Sequence, residues 1–76
     1  MEELVHYLVA LLVDEPEQIE IRRRQAGPAT VFEVYVAPGD LGKVIGRQGR
    51  TANALRAVVE AAGRKQQRKA TVDIMS

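Results

Sequence analysis

The apolar residues of this chain change period three times within 76 residues. From residue 2 to 13 they recur every three or four positions. Leu4, Leu8, Leu11 and Leu12 form one stripe, and Val5, Val9 and Val13 widen it, which predicts a helix. From Glu17 to Arg24 they alternate, with Ile19 and Ile21 to one side and Glu20 and Arg22 to the other. Thr30 to Ala37 alternates again, with Phe32, Val34 and Val36 facing in and Val31, Glu33 and Tyr35 facing out. Gly27 and Pro28 between these runs mark a turn, so the two strands form a hairpin. Helical spacing then returns in a short segment, Leu41 to Ile45, and a longer one from Arg50 to Ala62. The inward side of the longer helix is Ala54, Leu55, Val58, Val59 and Ala62. A last alternating run, Ala70 to Met75, puts Val72 and Ile74 inward. The order is α-β-β-α-α-β, an α+β fold.

Local signals set the boundaries. Glu2 and Glu3 suit the positive end of the first helix dipole, and Pro16 disfavours helical geometry just before it. Pro38 and Gly39 stop the second strand, Asp40 is placed to cap the short helix, and Gly63 is the expected stop of the long one. The second and third strands are joined through helices. Such a crossover is right-handed and links parallel strands. The expectation is a three-stranded mixed sheet in the order first, second, third, with three helices on one face and solvent on the other. A chain this short buries roughly 60–65% of its unfolded surface and has no cysteine to staple it, so we expect one domain over residues 1–76. The face of the first helix is wider than one small sheet needs, so part of it is expected to be covered by another chain. Leu4 to Val13 is too short to span a bilayer and follows acids, not a basic leader. The expected location is the cytoplasm, with no membrane partner.

A net charge of +1 hides a polarity. Residues 1–20 hold six acids and no Lys or Arg, while residues 21–76 hold all eleven Lys and Arg against four acids. This asymmetry suits a polyanion partner or a solubilising surface, and position relative to the segment "LGKVIGRQGRT" decides between them. That segment interrupts the helical pattern with Gly46 and Gly49, two residues apart. Glycine tolerates a sharp turn at positive φ, removes side chains where another backbone must approach, and leaves amides at the start of the next helix to face an anion. Lys43, Arg47 and Arg50 add charge around the same point. The ligand so described is a phosphate backbone. No Walker string occurs, and the glycine spacing 42, 46, 49 does not match a dinucleotide fingerprint. A plain helix–helix turn remains the structural alternative for the four residues "GRQG" alone.

Catalysis and metal binding find little support. His6 is the single histidine, the acids are scattered and Ser76 is the single serine, so no nucleophile–base pair or ligand set can be assembled. We expect no enzyme activity, no cofactor and no metal. Tyr7, Phe32 and Tyr35 are the only aromatics, few for a surface that grips bases by stacking.

"VIGRQGRT", set between two helices in an α-β-β-α-α-β chain, resembles the signature of the KH domain, a nucleic-acid-binding module, in its type II arrangement. The length, the beginning "EELVHYLVALLVDEPE" and the ending "KATVDIMS" are similar to the small stand-alone bacterial members. The resemblance implies that Gly46, Arg47, Gln48 and Gly49 clamp the backbone of about four unpaired nucleotides. It puts Ile45 on the floor of an apolar groove and Val44 beneath it. Val34 to Val36 and the helix near Ala54 would form the far wall and bond base edges. Many members carry Lys at one or both variable loop positions, and the neutral Gln48 here should weaken phosphate attraction modestly. The resemblance further implies low sequence specificity, self-association, pairing with a larger bacterial RNA-binding protein, and a part in RNA regulation or chaperoning. Single-stranded DNA as target and a scaffold role with incidental RNA contact stay open. So does the part played by two basic clusters, Arg22–Arg24 and Arg64–Lys69.

Overall fold

The structure, a computed structural model, describes residues 1–76. Helix α1 spans Glu2–Ala10. Strands β1 (Glu20–Ala26) and β2 (Ala29–Tyr35) follow, then the short helix α2 (Leu41–Ile45), the long helix α3 (Arg50–Lys65) and strand β3 (Lys69–Ile74). The sheet order is β1-β2-β3, with β1 antiparallel and β3 parallel to β2. This is the arrangement expected from the pattern of periods.

The register explains which sheet face is buried. Ile21, Val34 and Ile74 lie side by side, as do Arg23, Phe32 and Val72. Val5 and Val9 of α1, Val44 of α2, and Leu55 and Val59 of α3 close over this row in one core with Phe32, Val34, Ala70 and Val72. All three helices therefore share one face of the sheet. Valine dominates because the layer is thin: a β-branched side chain fills it in a single χ1 rotamer.

Several boundaries and facings differ from the sequence expectation. Helix α1 stops at Ala10 rather than Val13, because Leu12 N–H bonds to the Val9 carbonyl at 2.9 Å and tightens the last turn. Val31 was expected to face out and does lie on the open face, yet it is 7% exposed. Arg24 and Thr71 flank it in register, and the stems of Arg24 and its partner Glu33 screen it. Asp40 precedes α2 but makes no side-chain cap bond to it. Gly63 does not end α3. It is buried within the helix, where a Cβ would meet the Arg68 carbonyl at 2.8 Å and Ala70 Cβ at 3.3 Å. Its carbonyl accepts N–H bonds from Gln66 at 2.9 Å and Arg68 at 2.8 Å, and Gln67 supplies the left-handed turn at φ 58°.

The buried stripe of α3 is Ala52, Leu55, Val59 and Gly63. Ala54 and Val58, expected to face in, are exposed. At 3.6 residues per turn they belong to the flank turned toward α1. There Leu8, Leu11, Leu12, Thr51, Ala54 and Val58 line an open apolar groove of about 240 Å3.

Candidate nucleic-acid interface

The glycine loop is assembled from α2 upward. Val44 is fully buried and pins α2 to the core, which leaves the next residue, Ile45, at the surface and 37% exposed. Gly46 follows at φ 75°, ψ 173°, Gln48 at φ 56°, ψ 26°, and Gly49 at φ 75°, ψ 11°. A Cβ at Gly46 would lie 2.2 Å from Thr51 Oγ1, whereas one at Gly49 would meet nothing within 4 Å. The two glycines thus serve different needs: Gly46 lets α3 start against the loop, and Gly49 only completes the turn. Arg47, Gln48 and Arg50 are exposed, and neither arginine has an ion-pair partner.

Two expectations about the loop are corrected. The amides at the start of α3 are not all free. Gly46 N–H bonds to the Gly42 carbonyl at 2.8 Å, Gly49 N–H to Gly46 at 3.2 Å, and Arg50 N–H to Arg47. The loop is a tight pair of turns on the surface, and what it presents to solvent is side-chain charge, Arg47 and Arg50, more than a ring of open amides. Lys43 is also engaged. Its ammonium bonds to the Asp14 carboxylate and lies 3.5 Å from Asp40 Oδ1. The bond to Asp14 raises the Lys43 pKa above its ordinary value, against a smaller effect of burial.

Asp40 organises this flank. Its carboxylate, 3% exposed, accepts the N–H of Asp14 at 3.1 Å and of Glu15 at 3.0 Å. The Asp14 N–H is the main reason its pKa lies below the usual carboxylate value; burial opposes this, and the Glu15 N–H and Lys43 assist. The residue read as a helix cap instead ties the loop after α1 to the start of α2.

The far wall of the groove also moves. Val34 is fully buried, Val36 is half-buried, and β2 is hydrogen-bonded on both edges, so neither its side chains nor its ladder groups are available there. Ala54 lies on the α1 flank. The strand with an open edge beside α3 is β3. Met75 N–H goes to the Val34 carbonyl, so by alternation Ala70, Val72 and Ile74 turn their backbone groups outward. Arg56 Nε already occupies the Val72 carbonyl at 3.0 Å, with its guanidinium also held by Asn53 Oδ1 at 2.9 Å. Contacts pair Gly63 with Ala70, Glu60 with Thr71 and Arg56 with Val72, so α3 runs antiparallel to β3. Its first turns, carrying Arg50 and Asn53, therefore stand at the Ile74 end. Arg56 and the β3 edge were missed in the sequence. The available signal was the spacing of Asn53, Arg56, Glu60 and Arg64, a polar stripe adjoining the buried one.

The basic residues near β1 are neutralised. Arg22 bonds to Glu20 at 2.8 Å, which raises its pKa, and lies 5.1 Å from the Tyr35 ring centroid. Arg23 faces Glu2 at 3.7 Å and Arg24 meets Glu33 at 2.9 Å. Tyr35 is half-buried, with Arg22 over one face of its ring. No helix is long and apolar enough to cross a membrane.

Comparison with known proteins agrees with this geometry. Residues 2–74 match the family model described as KhpA/KhpB, KH domain. The chain is 45% identical to the RNA-binding protein KhpA of Halalkalibacterium halodurans, over 99% of each chain. It is 43% identical to that of Clostridium perfringens, over 99% of this chain and 100% of the relative. It is 47% identical to that of Streptomyces coelicolor, over 97% of this chain and 94% of the relative.

Proposed function

The chain belongs to the KhpA/KhpB KH-domain family, and on that premise we propose that it binds single-stranded RNA at the loop Gly46–Gly49. It does so as a single domain in the cytoplasm and as a binding module without enzymatic activity. The observation that carries the reading is the exposed, ion-pair-free Arg47 and Arg50 on a backbone held left-handed between them. One strand of phosphates seats against Arg47 and Arg50, with Gln48 donating a neutral hydrogen bond. Lys43 joins when it leaves Asp14. Ile45 supplies apolar contact, and the outward N–H groups of Val72 and Ile74, with the Ile74 carbonyl, meet base edges. Main-chain groups cannot tell many bases apart, so sequence specificity is low.

One groove of this size binds weakly, and a second copy raises affinity through effective concentration. We assign self-association to the apolar groove between α1 and α3, where Leu11 is 67% and Val58 48% exposed. These ridges and the neighbouring depression offer a second copy both apolar side chains and a recess to receive them. We further propose a KhpB-type protein, whose KH domain falls under the same family description, as a partner.

The test is Arg47→Asp with Gln48→Asp. Gln48 already occupies the left-handed region that Asp tolerates, so the fold survives and two negative charges face the strand. RNA affinity should fall at least tenfold with an unchanged unfolding midpoint. Unchanged affinity in the folded variant would sink the loop assignment and favour the scaffold role. Parallel titration with matched DNA oligonucleotides decides between RNA and single-stranded DNA.

A further inference from the structure

The basic residues outside the loop fall into two clusters with different electrostatics. Arg22, Arg23 and Arg24 each have a carboxylate within reach. Arg64, Lys65, Arg68 and Lys69 have none within 4 Å. Arg64, Arg68 and Lys69 surround a depression of about 350 Å3 at the start of β3, together with Glu60 and Thr71. Glu60, the one carboxylate lining it, is bound by the Thr71 hydroxyl at 2.8 Å.

Position links this cluster to the loop. Asn53, Arg56, Glu60 and Arg64 form one stripe of α3, and the middle two are bonded to Val72 and Thr71 of β3. The stripe therefore follows the free edge of β3 from one end to the other. Arg50 and Arg64 are fourteen residues apart, about 21 Å along a helix. A strand at the stacked spacing of about 3.4 Å per nucleotide covers that distance in roughly six nucleotides, and an extended strand in fewer.

We infer that the turn Arg64–Lys69 is a second phosphate-holding site for the same RNA strand. A strand leaving the Gly46–Gly49 clamp continues along the edge of β3, past Arg56, and its later phosphates meet Arg64, Arg68 and Lys69. The occluded length then exceeds the roughly four nucleotides of the clamp. Cluster Arg22–Arg24, already neutralised, takes no part. The inference rests on the RNA reading above and extends it.

The experiment compares oligouridylates of four and twelve nucleotides by fluorescence anisotropy, with wild-type protein and the Arg64→Gln, Arg68→Gln double variant. These side chains are exposed and unpaired, so folding is unaffected, which an unfolding midpoint checks. The expected result is a four-mer affinity within twofold of wild type and a twelve-mer affinity lowered about tenfold. The log–log salt slope for the twelve-mer should also shrink by about 1.4, at about 0.7 for each lost phosphate contact. The variant decides, because a longer oligomer also offers more registers to one clamp. Equal losses for both lengths would reveal only a diffuse positive field and overturn the inference, as would an unaffected twelve-mer. Wild-type protein binding neither length would overturn the RNA reading itself, and this site with it.

Discussion

Replacing either loop glycine by alanine should separate two roles that the sequence spacing makes look alike. At Gly46 the backbone sits at φ 75°, ψ 173°, a region nearly reserved for glycine, and a side chain there costs about 1–3 kcal/mol. The new Cβ would also lie 2.2 Å from Thr51 Oγ1, 2.7 Å from its Cβ and 2.9 Å from its backbone nitrogen. Two of those three atoms are not the tip of a movable side chain, so α3 must shift, and overpacking of this kind costs about 1–3 kcal/mol more. The sum centres on about 4 kcal/mol, against a total of roughly 4–11 kcal/mol for a chain of this length. At Gly49 the conformation is left-handed helical at φ 75°, ψ 11° and the surroundings are open, so Gly49→Ala costs only about 1–2 kcal/mol. In urea, with a slope of about 1 kcal/mol/M, Gly49→Ala moves the midpoint by about 1–2 M. Gly46→Ala moves it by about 4 M, which at the lower end of that stability range leaves a protein that is barely folded. Thr51→Ala in the Gly46→Ala background removes the hydroxyl contact but not the one to Cβ, and recovers only part of the loss. Equal midpoints for the two single variants would refute the steric argument. One practical consequence is that binding variants belong at Arg47 and Gln48, since a substitution at Gly46 confounds RNA affinity with folding.

Other expectations follow from the same coordinates. Gly63→Ala gains about 1 kcal/mol of helix propensity but drives a Cβ to 2.8 Å from the Arg68 carbonyl, an overpacking that costs about 1–3 kcal/mol; the net loss of up to about 2 kcal/mol should lower the thermal midpoint by up to about 16 °C. Because the Asp40 pKa is lowered on folding, its contribution is complete above the unfolded value of about 3.9 and is lost as pH falls through the lower folded value. Urea midpoints at pH 7 and pH 3 should therefore differ more for wild type than for Asp40→Asn, and equal differences would refute the role of that carboxylate. Asp14→Asn should free Lys43 from the nearer of its two carboxylates, leaving only the longer contact to Asp40, raising RNA affinity two- to fivefold and steepening the log–log salt slope by about 0.7; an unchanged slope would mean that Lys43 never meets the strand.

The fold was readable because its main signal is one-dimensional. A period of two against a period of three to four separates strands from helices, and the crossover rule then leaves one sheet order. The loop was readable because glycine spacing and local charge are properties of neighbours in the chain. What escaped depends on residues distant in sequence. Asp40 carries a good capping side chain, but the Asp14 and Glu15 amides, 26 and 25 residues away, compete for it and win. Lys43 was counted as free charge because its partner Asp14 comes before both β1 and β2. Gly63 resembled a helix stop until the approach of β3 at Ala70 gave it a steric reason. Ala54 and Val58 were misassigned by a single rotational step: apolar character said that they pack, but not against what. The open edge at β3 rather than β2 escaped for the same reason, since only the pairing shows which strand keeps one.

Helix α3 presents its two uncovered flanks to different surroundings. Thr51, Ala54 and Val58 look toward α1 across a greasy furrow, while Asn53, Arg56, Glu60 and Arg64 look toward β3 across a polar seam. Adjacent positions on a helix are rotated by about 100°, so these two sets interleave in sequence without sharing a position. If copies meet at the furrow and the strand lies along the seam, as proposed, mutation can retune the one without altering the other, even though both sides are written into the same helix.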